Sequence, residues 1–358
     1  MIDVVVVGAG PVGAHFARRA AEQGHDVVAF ERGKVGEPLA CSGHVSRDLW
    51  EFLPEGATAD LRQHEIRGAR FHLREESERS YPFYRDEPIS NVIDRVALDR
   101  KLADLASAAG ASIRTNHTVT AVTEHPDSVS LKVQGPDGAT QVEARVVVGA
   151  DGPKSTVGRE LGLPAPNELL VGALQHVPEP DHSDFVDVML DIPRFFGWRI
   201  PRGEAGVEYG LAAPPDYDVV GRLEGWLERE DATAGPRFSG HVPIGPPKRV
   251  HTDRAILLGD AAAQTKPFTG GGILYGLRAA EIAAEVLDPL APDTAAYEHA
   301  WRAELGTEIR LGTWIRRGYS FPDPLARLGL RAFSGEIGVH MDEPTSLFSR
   351  EAVAALFR

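Results

Sequence analysis

The first apolar run of the chain consists of four β-branched residues, Val4 to Val7. An uninterrupted run of this kind is typical of a strand that is buried on both faces of a sheet. Residues with helical spacing follow from about Pro11 to Gly24, and a second short apolar run ends at Glu31. The hydrophobic pattern therefore predicts a β-α-β unit over residues 1–31.

The next hundred residues mix helical and strand periods. A helix is predicted over 46–60, and short strands over 65–85, for example Ile66–Leu73. Apolar residues recur at helical spacing from Leu98, and Gly110 supplies the stop signal of this helix. Two strands are predicted after it, at 117–124 and 128–134, with a Pro-Asp-Gly turn at 136–138, and a third runs from Ala144 to a stop at Asp151-Gly152.

From residue 168 onward the pattern changes to alternation of apolar and polar positions. Four strands are predicted there, at 168–177, 185–191, 195–201 and 206–212. Because no helix of useful length separates them, the pattern favours an antiparallel sheet over further β-α-β units. The remaining predicted elements are a helix over 218–230, a buried strand ending before Gly259-Asp260, an apolar helix over 273–287, and a helical region over 294–358.

These elements predict an α/β protein with a discontinuous Rossmann-like nucleotide-binding domain. Its parts are 1–60, 86–160 and 250–290. An antiparallel-sheet substrate domain, 61–85 and 161–249, is inserted between them, and residues 291–358 form a helical C-terminal region. Only one nucleotide fingerprint is present, so a second dinucleotide would have no Rossmann domain of its own.

Composition narrows the class of function. Acidic residues exceed basic ones, 52 against 38, which gives a net charge of −14 and speaks against general nucleic-acid binding. The single cysteine, Cys41, excludes an internal disulfide and a four-cysteine iron–sulfur cluster. No metal site is predicted. No run approaches the ~18 apolar residues of a membrane span, and the N-terminus lacks a secretion signal. We therefore expect a cytoplasmic protein whose membrane contact, if any, is peripheral to the inner face.

The glycines after the first predicted strand form a nucleotide-binding motif. Gly8, Gly10 and Gly13 have the G-x-G-x-x-G spacing, which provides a tight turn, close backbone approach to a pyrophosphate, and close packing of helix on strand. The helix that follows points its N-terminal amides at the pyrophosphate. Glu31, at the end of the second strand, is placed to accept hydrogen bonds from a ribose 2′-hydroxyl, which argues against a 2′-phosphate.

Together with Asp151-Gly152 and Gly259-Asp260, this fingerprint resembles the FAD-binding fold of para-hydroxybenzoate hydroxylase and its relatives. Within that group, four further stretches are similar to the geranylgeranyl reductase family, including the archaeal digeranylgeranylglycerophospholipid reductases. These stretches are Pro38-Leu-Ala-Cys41-Ser-Gly43, Arg95-Val-Ala-Leu-Asp99, Phe196-Gly-Trp198-Arg-Ile-Pro201 and Gly259-Asp260-Ala-Ala with Pro267-Phe-Thr-Gly270-Gly-Gly-Ile273.

The resemblance implies FAD as the cofactor. Asp260 would accept hydrogen bonds from the ribityl hydroxyls, the amides at Gly270–Ile273 would face the O2/N1 edge of the flavin, Arg95 would contact the phosphate–ribityl stretch and the Val119 backbone the adenine. The full set of implied FAD-binding residues is Gly8, Gly10, Gly13, Ala14, Glu31, Arg32, Cys41, Ser42, Gly43, Arg95, Val119, Asp151, Asp260, Gly271, Gly272 and Ile273.

The same resemblance implies a substrate wall and a catalytic candidate. Phe196, Trp198 and Pro201 would form one wall of a prenyl tunnel, and Cys41 would face the flavin. For Cys41 the alternative is a small packed side chain, which is the usual role of a lone cysteine. The chain departs from the family at His44, where glycine is usual, and at Phe196 and Ile200, where Tyr and Phe are usual. Its arginine after Asp151-Gly152 is Arg159, one residue later than in the hydroxylases.

The function implied is FAD-dependent reduction of C=C bonds in geranylgeranyl chains of membrane lipids or prenylated quinones. Electrons would come from a donor such as NAD(P)H or a ferredoxin. Two alternatives remain open at this point: an aromatic-ring monooxygenase on the same fold, and an electron carrier resembling the electron-transfer flavoprotein–quinone oxidoreductases. The single cysteine denies the carrier its usual cluster.

The C-terminal region reverses the overall charge. Among the residues from 310 to 331 there are five arginines and one acid, Asp323, interleaved with aromatic and leucine side chains. Such a mixture suits a lipid headgroup interface. The alternative is a solvated helix pair whose arginines pair with acids such as Glu304 and Glu308. The arginines are Arg310, Arg316, Arg317, Arg327 and Arg331.

Overall fold

The computed structural model describes residues 1–37, 40–75, 79–233, 235–336 and 342–345. Predictions that fall on residues 38–39, 76–78, 234, 337–341 or 346–358 lie outside this part of the chain. The strands are β1 (Ile2–Val7), β2 (Val27–Phe30), β3 (His44–Ser46), β4 (Arg62–Ile66), β5 (Gly68–His72), β6 (Ser80–Tyr84), β7 (Ser90–Ile93), β8 (Ser112–Arg114), β9 (Thr118–Glu124), β10 (Val129–Gly135), β11 (Gly138–Gly149), β12 (Glu168–Val177), β13 (Phe185–Met189), β14 (Gly197–Pro201), β15 (Val207–Ala213), β16 (Arg237–Ile244), β17 (Ala255–Leu257) and β18 (Gly335–Glu336). The helices are α1 (Pro11–Glu22), α2 (Ala57–Leu61), α3 (Arg95–Ala108), α4 (Thr156–Glu160), α5 (Val219–Arg229), α6 (Ile273–Val286), α7 (Thr294–Arg317) and α8 (Asp323–Phe333).

Strand β1 lies at the centre of a seven-stranded sheet with the order β8-β2-β1-β11-β10-β9, in which β17 also pairs with β11. It runs parallel to β2 on one side and to the end of β11 on the other. Val4 to Val7 are all buried, as expected for a strand flanked on both sides and covered on both faces. The long strand β11 turns from antiparallel pairing with β10 to parallel pairing with β1 and β17.

Helices pack against this sheet, with α1 contacting β1 and β2 and α3 contacting β8. Helix α1 packs against α3 and α6, and α7 packs against α6. Capping side chains fix where two of the helices begin: Asp94 accepts a hydrogen bond from the Ala97 amide before α3, and Asp293 accepts one from Ala296 before α7. Trp301 of α7 is fully buried in the core beneath the sheet.

A second sheet of eight strands has the order β16-β12-β15-β14-β13-β5-β6-β18. Its strands β12 to β15 are the four predicted strands, and they pair antiparallel where they neighbour one another. The sheet as a whole is mixed, however, because β13 pairs parallel with β5, and β18 parallel with β6. Strands β5 and β18 come from distant parts of the chain, so no hairpin dictates their direction.

Three local predictions need correction. The predicted strand Ile66–Leu73 is broken at Arg67: β4 pairs with β7 in a three-stranded sheet with β3, and β5 joins the eight-stranded sheet. The predicted helix over 46–60 is a 3-10 helix, Arg47–Phe52, followed by the short helix α2. The helical C-terminal prediction is wrong at Gly335–Glu336, which forms strand β18.

Candidate active site

One cavity of about 1340 Å³ extends from the carboxyl ends of the parallel strands to the inner face of the eight-stranded sheet. Its first end is lined by glycines and polar side chains of the nucleotide half. Its other end is lined by aromatic and aliphatic side chains of β5, β6, β13 and β14 and of the C-terminal helices. In an open α/β sheet, ligands bind outside the carboxyl ends of the strands, which is where this cavity begins.

Each glycine of the G-x-G-x-x-G motif is required, or fits, for a different structural reason. Gly8 has a φ of +95°, and a Cβ there would lie 2.4 Å from the Ala150 carbonyl oxygen. A Cβ on Gly13 would lie 2.0 Å from the Gly8 carbonyl oxygen, so only glycine lets α1 approach β1. Gly10 has no heavy atom within 4 Å of an added Cβ and lines the cavity. This open space at the N-terminus of α1 fits a pyrophosphate.

Glu31 closes the turn around that space. Its carboxylate accepts hydrogen bonds from the Ala9 amide at 2.9 Å and from the Gly33 amide at 3.2 Å. Arg32 and Val119 line the same end of the cavity. The carboxylate is thus held at the edge of the cavity next to β2, where the ribose of an adenosine would lie.

Asp151 lines the cavity, but its carboxylate is already bonded within the protein. One oxygen accepts from the Ser155 hydroxyl at 2.6 Å, and the other accepts from the Thr156 and Val157 amides. Burial raises the pKa of Asp151, and these hydrogen bonds oppose the rise. Its carboxylate caps the start of α4, and its predicted contact with the cofactor stays a prediction.

At the opposite side of β1, Asp260 follows β17 and lies in a 3-10 helix, Gly259–Ala262. Burial raises the pKa of Asp260 to about 6, and Arg95 opposes this rise. Gly271, Gly272 and Ile273 line the cavity at the N-terminus of α6. A Cβ on Gly272 would lie 2.7 Å from the Asp260 carboxylate, so the glycine leaves that carboxylate accessible.

Arg95 begins α3 and is buried beside Cys41. Its Nη2 donates to Asp99 at 2.8 Å. Burial opposes the charge of this guanidinium, yet Cys41 and Asp99 together raise its pKa above the usual value. Cys41 and Ser42 both line the cavity. The structure therefore brings Cys41, Arg95 and Asp260 to the same end of the cavity.

Four predicted site residues do not line the cavity. Gly13 and Ala14 are buried in the packing of α1, and Pro201 is buried in β14, opposite Val207. Gly43 has a φ of +68°, and a Cβ there would lie 2.5 Å from the Ile93 carbonyl oxygen. Their predicted contacts with cofactor or substrate therefore stay predictions.

Phe196, directly before β14, and Trp198 and Ile200 of β14 do line the cavity. Phe196 stacks on Phe195 with ring centroids 4.3 Å apart. The indole Nε1 of Trp198 donates to the buried carboxylate of Glu208 at 2.9 Å, which fixes the ring. This part of the cavity offers an apolar surface that fits a hydrocarbon chain.

Sequence reasoning assigned no role to Lys266 and His44, which line the cavity, or to Asp342. Lys266, which is only 3% exposed, forms an ion pair with Asp342. His44 Nε2 lies 2.7 Å from Ser90 Oγ. Burial and the charge of Lys266 lower the pKa of His44 to about 4, against a smaller opposing effect of Asp342, so its imidazole is neutral at pH 7. Lys266 could have been found from its position next to the Pro267–Ile273 stretch in a chain with few lysines. No sequence pattern around Asp342 indicates a role in the site.

The fold and this cavity define a class of protein, the FAD-binding flavoproteins. The FAD binding domain family matches residues 1–205, more than half of the chain. The glycine turn, the space at Gly10 and the accessible Asp260 fit this cofactor. FAD is therefore the cofactor of this protein.

Sequence relatives make the family more specific. The digeranylgeranylglycerophospholipid reductase of Methanothrix thermoacetophila is 32% identical, with 86% of this chain and 84% of the relative covered. Digeranylgeranylglycerophospholipid reductase 2 of Methanopyrus kandleri is also 32% identical, with 86% and 84% covered. The chain belongs to the digeranylgeranylglycerophospholipid reductase family.

Solved structures agree on the fold. A geranylgeranyl bacteriochlorophyll reductase-like protein from Thermoplasma acidophilum superposes with a TM-score of 0.85 at 22% identity, covering 99% of this chain and 95% of the other. A p-nitrophenol 4-monooxygenase from Pseudomonas putida superposes with a TM-score of 0.72 at 21% identity, covering 99% and 96%. At these identities the likeness concerns the architecture alone, which reductases and monooxygenases share.

Proposed function

We propose that this protein is an FAD-dependent reductase that saturates C=C bonds of geranylgeranyl chains carried by membrane lipids. The observation that carries the proposal is the continuity of the cavity: its polar end fits FAD, and its apolar arm, walled by Phe196 and Trp198, fits a prenyl chain. The names of the sequence relatives support the same substrate class.

Bound FAD supplies hydride chemistry for such a reaction, with NAD(P)H or a ferredoxin as the electron donor. An isolated alkene has no oxygen on which charge develops, so an oxyanion hole has no role here. The protein's own residues would exclude water and hold the chain in one orientation. The second alkene carbon takes a proton, and we assign its delivery to the Cys41 thiol, which lines the cavity beside Arg95.

The test compares three acceptors with the same anaerobically reduced protein. We expect fast flavin reoxidation by a geranylgeranyl ether lipid, with saturated product formed in step. Rapid productive reoxidation by a quinone, with no change in the lipid, would indicate an electron carrier. Hydroxylation of an aromatic substrate in the presence of oxygen would indicate a monooxygenase, and either result would overturn the proposal.

We further propose that the protein docks on the membrane through the mouth of the cavity. No helix in the described part of the chain is long and apolar enough to span a bilayer. Large apolar side chains are exposed near the apolar end of the cavity, and two of them, Phe321 and Leu325, also line it. Trp314 and Leu328 are each 66% exposed close by. A prenyl chain held in a bilayer would enter from this side.

The basic patch at this surface is smaller than its sequence suggested. Arg316 is turned inward, where it pairs with Glu168 at 2.7 Å and donates to the Arg194 carbonyl. Glu304 pairs with Arg278, and Glu308 accepts from Thr345, so these two acids are engaged elsewhere. The exposed arginines of the patch are Arg310, Arg317, Arg327 and Arg331.

Replacing Arg317, Arg327 and Arg331 with Gln tests the docking. Each arginine near an anionic surface contributes about 1 kcal/mol, so binding to anionic liposomes should weaken roughly 100-fold at low salt. Activity on detergent-dispersed lipid should persist. A control with the same charge change, Arg62, Arg67 and Arg159 to Gln, uses exposed arginines elsewhere. Equal liposome binding by both triple variants would refute a docking role for the patch.

A further inference from the structure

Lys266 is a buried ammonium group at the end of the cavity where α6 begins. Its carbonyl accepts from the Gly270 amide at 2.8 Å, and its amide donates to the Gly271 carbonyl at 3.0 Å. A Cβ on Gly271 would lie 2.9 Å from Lys266 Cε and 3.3 Å from Nζ, so the side chain passes directly beneath this glycine. A buried charge is costly unless it is paired, and such a residue calls for an explanation.

The partner of Lys266 comes from the far end of the chain. Asp342 forms the ion pair, and its backbone carbonyl accepts from the Tyr275 hydroxyl at 2.8 Å. Three residues later, Thr345 donates to Glu308 of α7. The segment 342–345 is thus fixed to α6 and α7, with the Asp342 carboxylate turned toward the cavity lysine. Among the described residues, His44, which is neutral at pH 7, interacts with both members of the pair, and Tyr275 lies close to Asp342, Glu308 and Glu343.

The topology decides which part of FAD would meet this pair. The pyrophosphate space lies at Gly10, after β1, and Glu31 lies after β2 on one side of β1. The adenosine of a bound FAD would therefore lie on the β2 side. The other side of β1, beyond β11 and next to β17, contains Asp260, the start of α6 and Lys266. The flavin half of a dinucleotide that spans the pyrophosphate must extend to this side.

We propose that Lys266 favours the reduced state of the bound flavin, and that Asp342 sets how much of the lysine's charge the flavin experiences. Reduction of a bound flavin by two electrons and one proton adds one negative charge, which a nearby ammonium stabilises. A carboxylate paired with that ammonium weakens the effect. This inference deepens the proposed function, because it concerns the reducing power available to an isolated alkene, but it rests on FAD binding and not on the lipid.

The test is the midpoint potential of FAD in purified holoprotein, measured by anaerobic titration with dithionite against a reference dye. In Lys266→Met the oxidised-to-reduced ratio at a fixed potential should rise at least tenfold, a shift of about 30 mV toward negative potential for a two-electron couple. In Asp342→Asn the shift should have the opposite sign. The double variant replaces the pair with neutral groups and should fall between the single variants.

If the Lys266–Asp342 pair had only a structural role, the two single variants would not shift the midpoint potential in opposite directions. Lys266→Arg keeps the charge and should keep a potential close to that of the wild type, and FAD content and melting temperature are recorded for every variant. Shifts of the same sign in both single variants, or no shift in any variant that retains FAD, would overturn the inference. Because no lipid is present, a failure of lipid reduction leaves this measurement unaffected.

Discussion

Asp260 carries a carboxyl group at a place where folding opposes its charge. Burial raises its pKa to about 6, whereas an aspartate in an unfolded chain has a pKa of about 3.9. The protonated Asp260 carboxyl contributes its full stability below the pKa that it has in the unfolded chain. That contribution is lost as the pH rises through the pKa that it has in the folded protein. At neutral pH the cofactor-free protein therefore retains a destabilising carboxylate that is available to bind hydroxyl groups.

Replacing Asp260 with Asn should remove this pH dependence. We expect the cofactor-free variant to melt at a higher temperature than the wild type above about pH 6, and both to converge below about pH 4. Affinity for FAD should fall by about 1–3 kcal/mol, the cost of losing hydrogen bonds to a charged acceptor. Melting curves across this pH range, with FAD binding measured at pH 7, check both effects. A variant that is less stable than the wild type at pH 8 would contradict this account.

Cys41 is the proposed proton donor, and its substitution separates chemistry from packing. We expect Cys41→Ser to retain FAD and melting temperature and to slow single-turnover reoxidation by lipid about 100-fold, the scale of general acid catalysis. A packing role would instead lower the melting temperature and leave turnover intact in the folded fraction. Measuring both quantities on one preparation decides between these outcomes.

At the scale of single residues, the sequence predicted those site residues whose type is dictated by the local backbone geometry. Gly8 and Glu31 were predicted because spacing after a strand defines their geometry, and the structure places them around one turn. Asp151 was predicted as a cofactor contact and lines the cavity, and its second role, capping α4, was not predicted. Lys266 and Asp342 were not predicted, since they are far apart in sequence and only tertiary packing joins them.

At the scale of elements, one buried side chain ties the loop after β2 to the substrate sheet. Arg202, directly after β14, donates to the Ser42 carbonyl at 2.6 Å and to the Ile93 carbonyl at 3.1 Å. It also donates to Gln63 and to the fully buried carboxylate of Glu208. One guanidinium therefore connects the loop that carries Cys41 with β4, β7 and β15.

Arg202→Met should break this connection. Glu208 would remain buried without its main cation, and such a loss costs about 3–5 kcal/mol of unfolding free energy. Adding Glu208→Gln should recover part of that loss. Urea unfolding of the holoprotein measures both variants, with Arg159→Gln as the control, because its exposed pair with Glu160 should be worth less than about 1 kcal/mol. A loss as small as that of the control would show that the connection is not structural.

Element boundaries followed the sequence where hydrophobic periodicity was strong, as in β12 to β15 and in α6. They failed where partners decide the structure. Ile66 and Phe71 lie in one alternating run, but the chain changes sheets at Arg67 between them. Strand β18 has two residues and exists because β6 offers an edge, which no local pattern encodes.

At the scale of the whole molecule, the two sheets are built from interleaved segments, and the cavity lies where they meet. The nucleotide sheet brings the residues that fit FAD, and the eight-stranded sheet with the C-terminal helices brings the apolar arm. Fold class was predictable from sequence because it follows from local motifs, and FAD was predictable because those motifs resemble a known family; the family match supports both. The sequence did not predict that residues between 315 and 330 line the apolar end of the cavity, because this depends on how α7 and α8 pack across the sheet.

The measurement that tests the central claim most directly is the stoichiometry of a single turnover. Protein reduced to completion is mixed anaerobically with a geranylgeranyl ether lipid, and both oxidised FAD and lipid mass are followed. The account predicts that one C=C bond is saturated for each FAD oxidised, and that a fully saturated analogue leaves the flavin reduced. Flavin oxidation without hydrogenation of the geranylgeranyl lipid would contradict it.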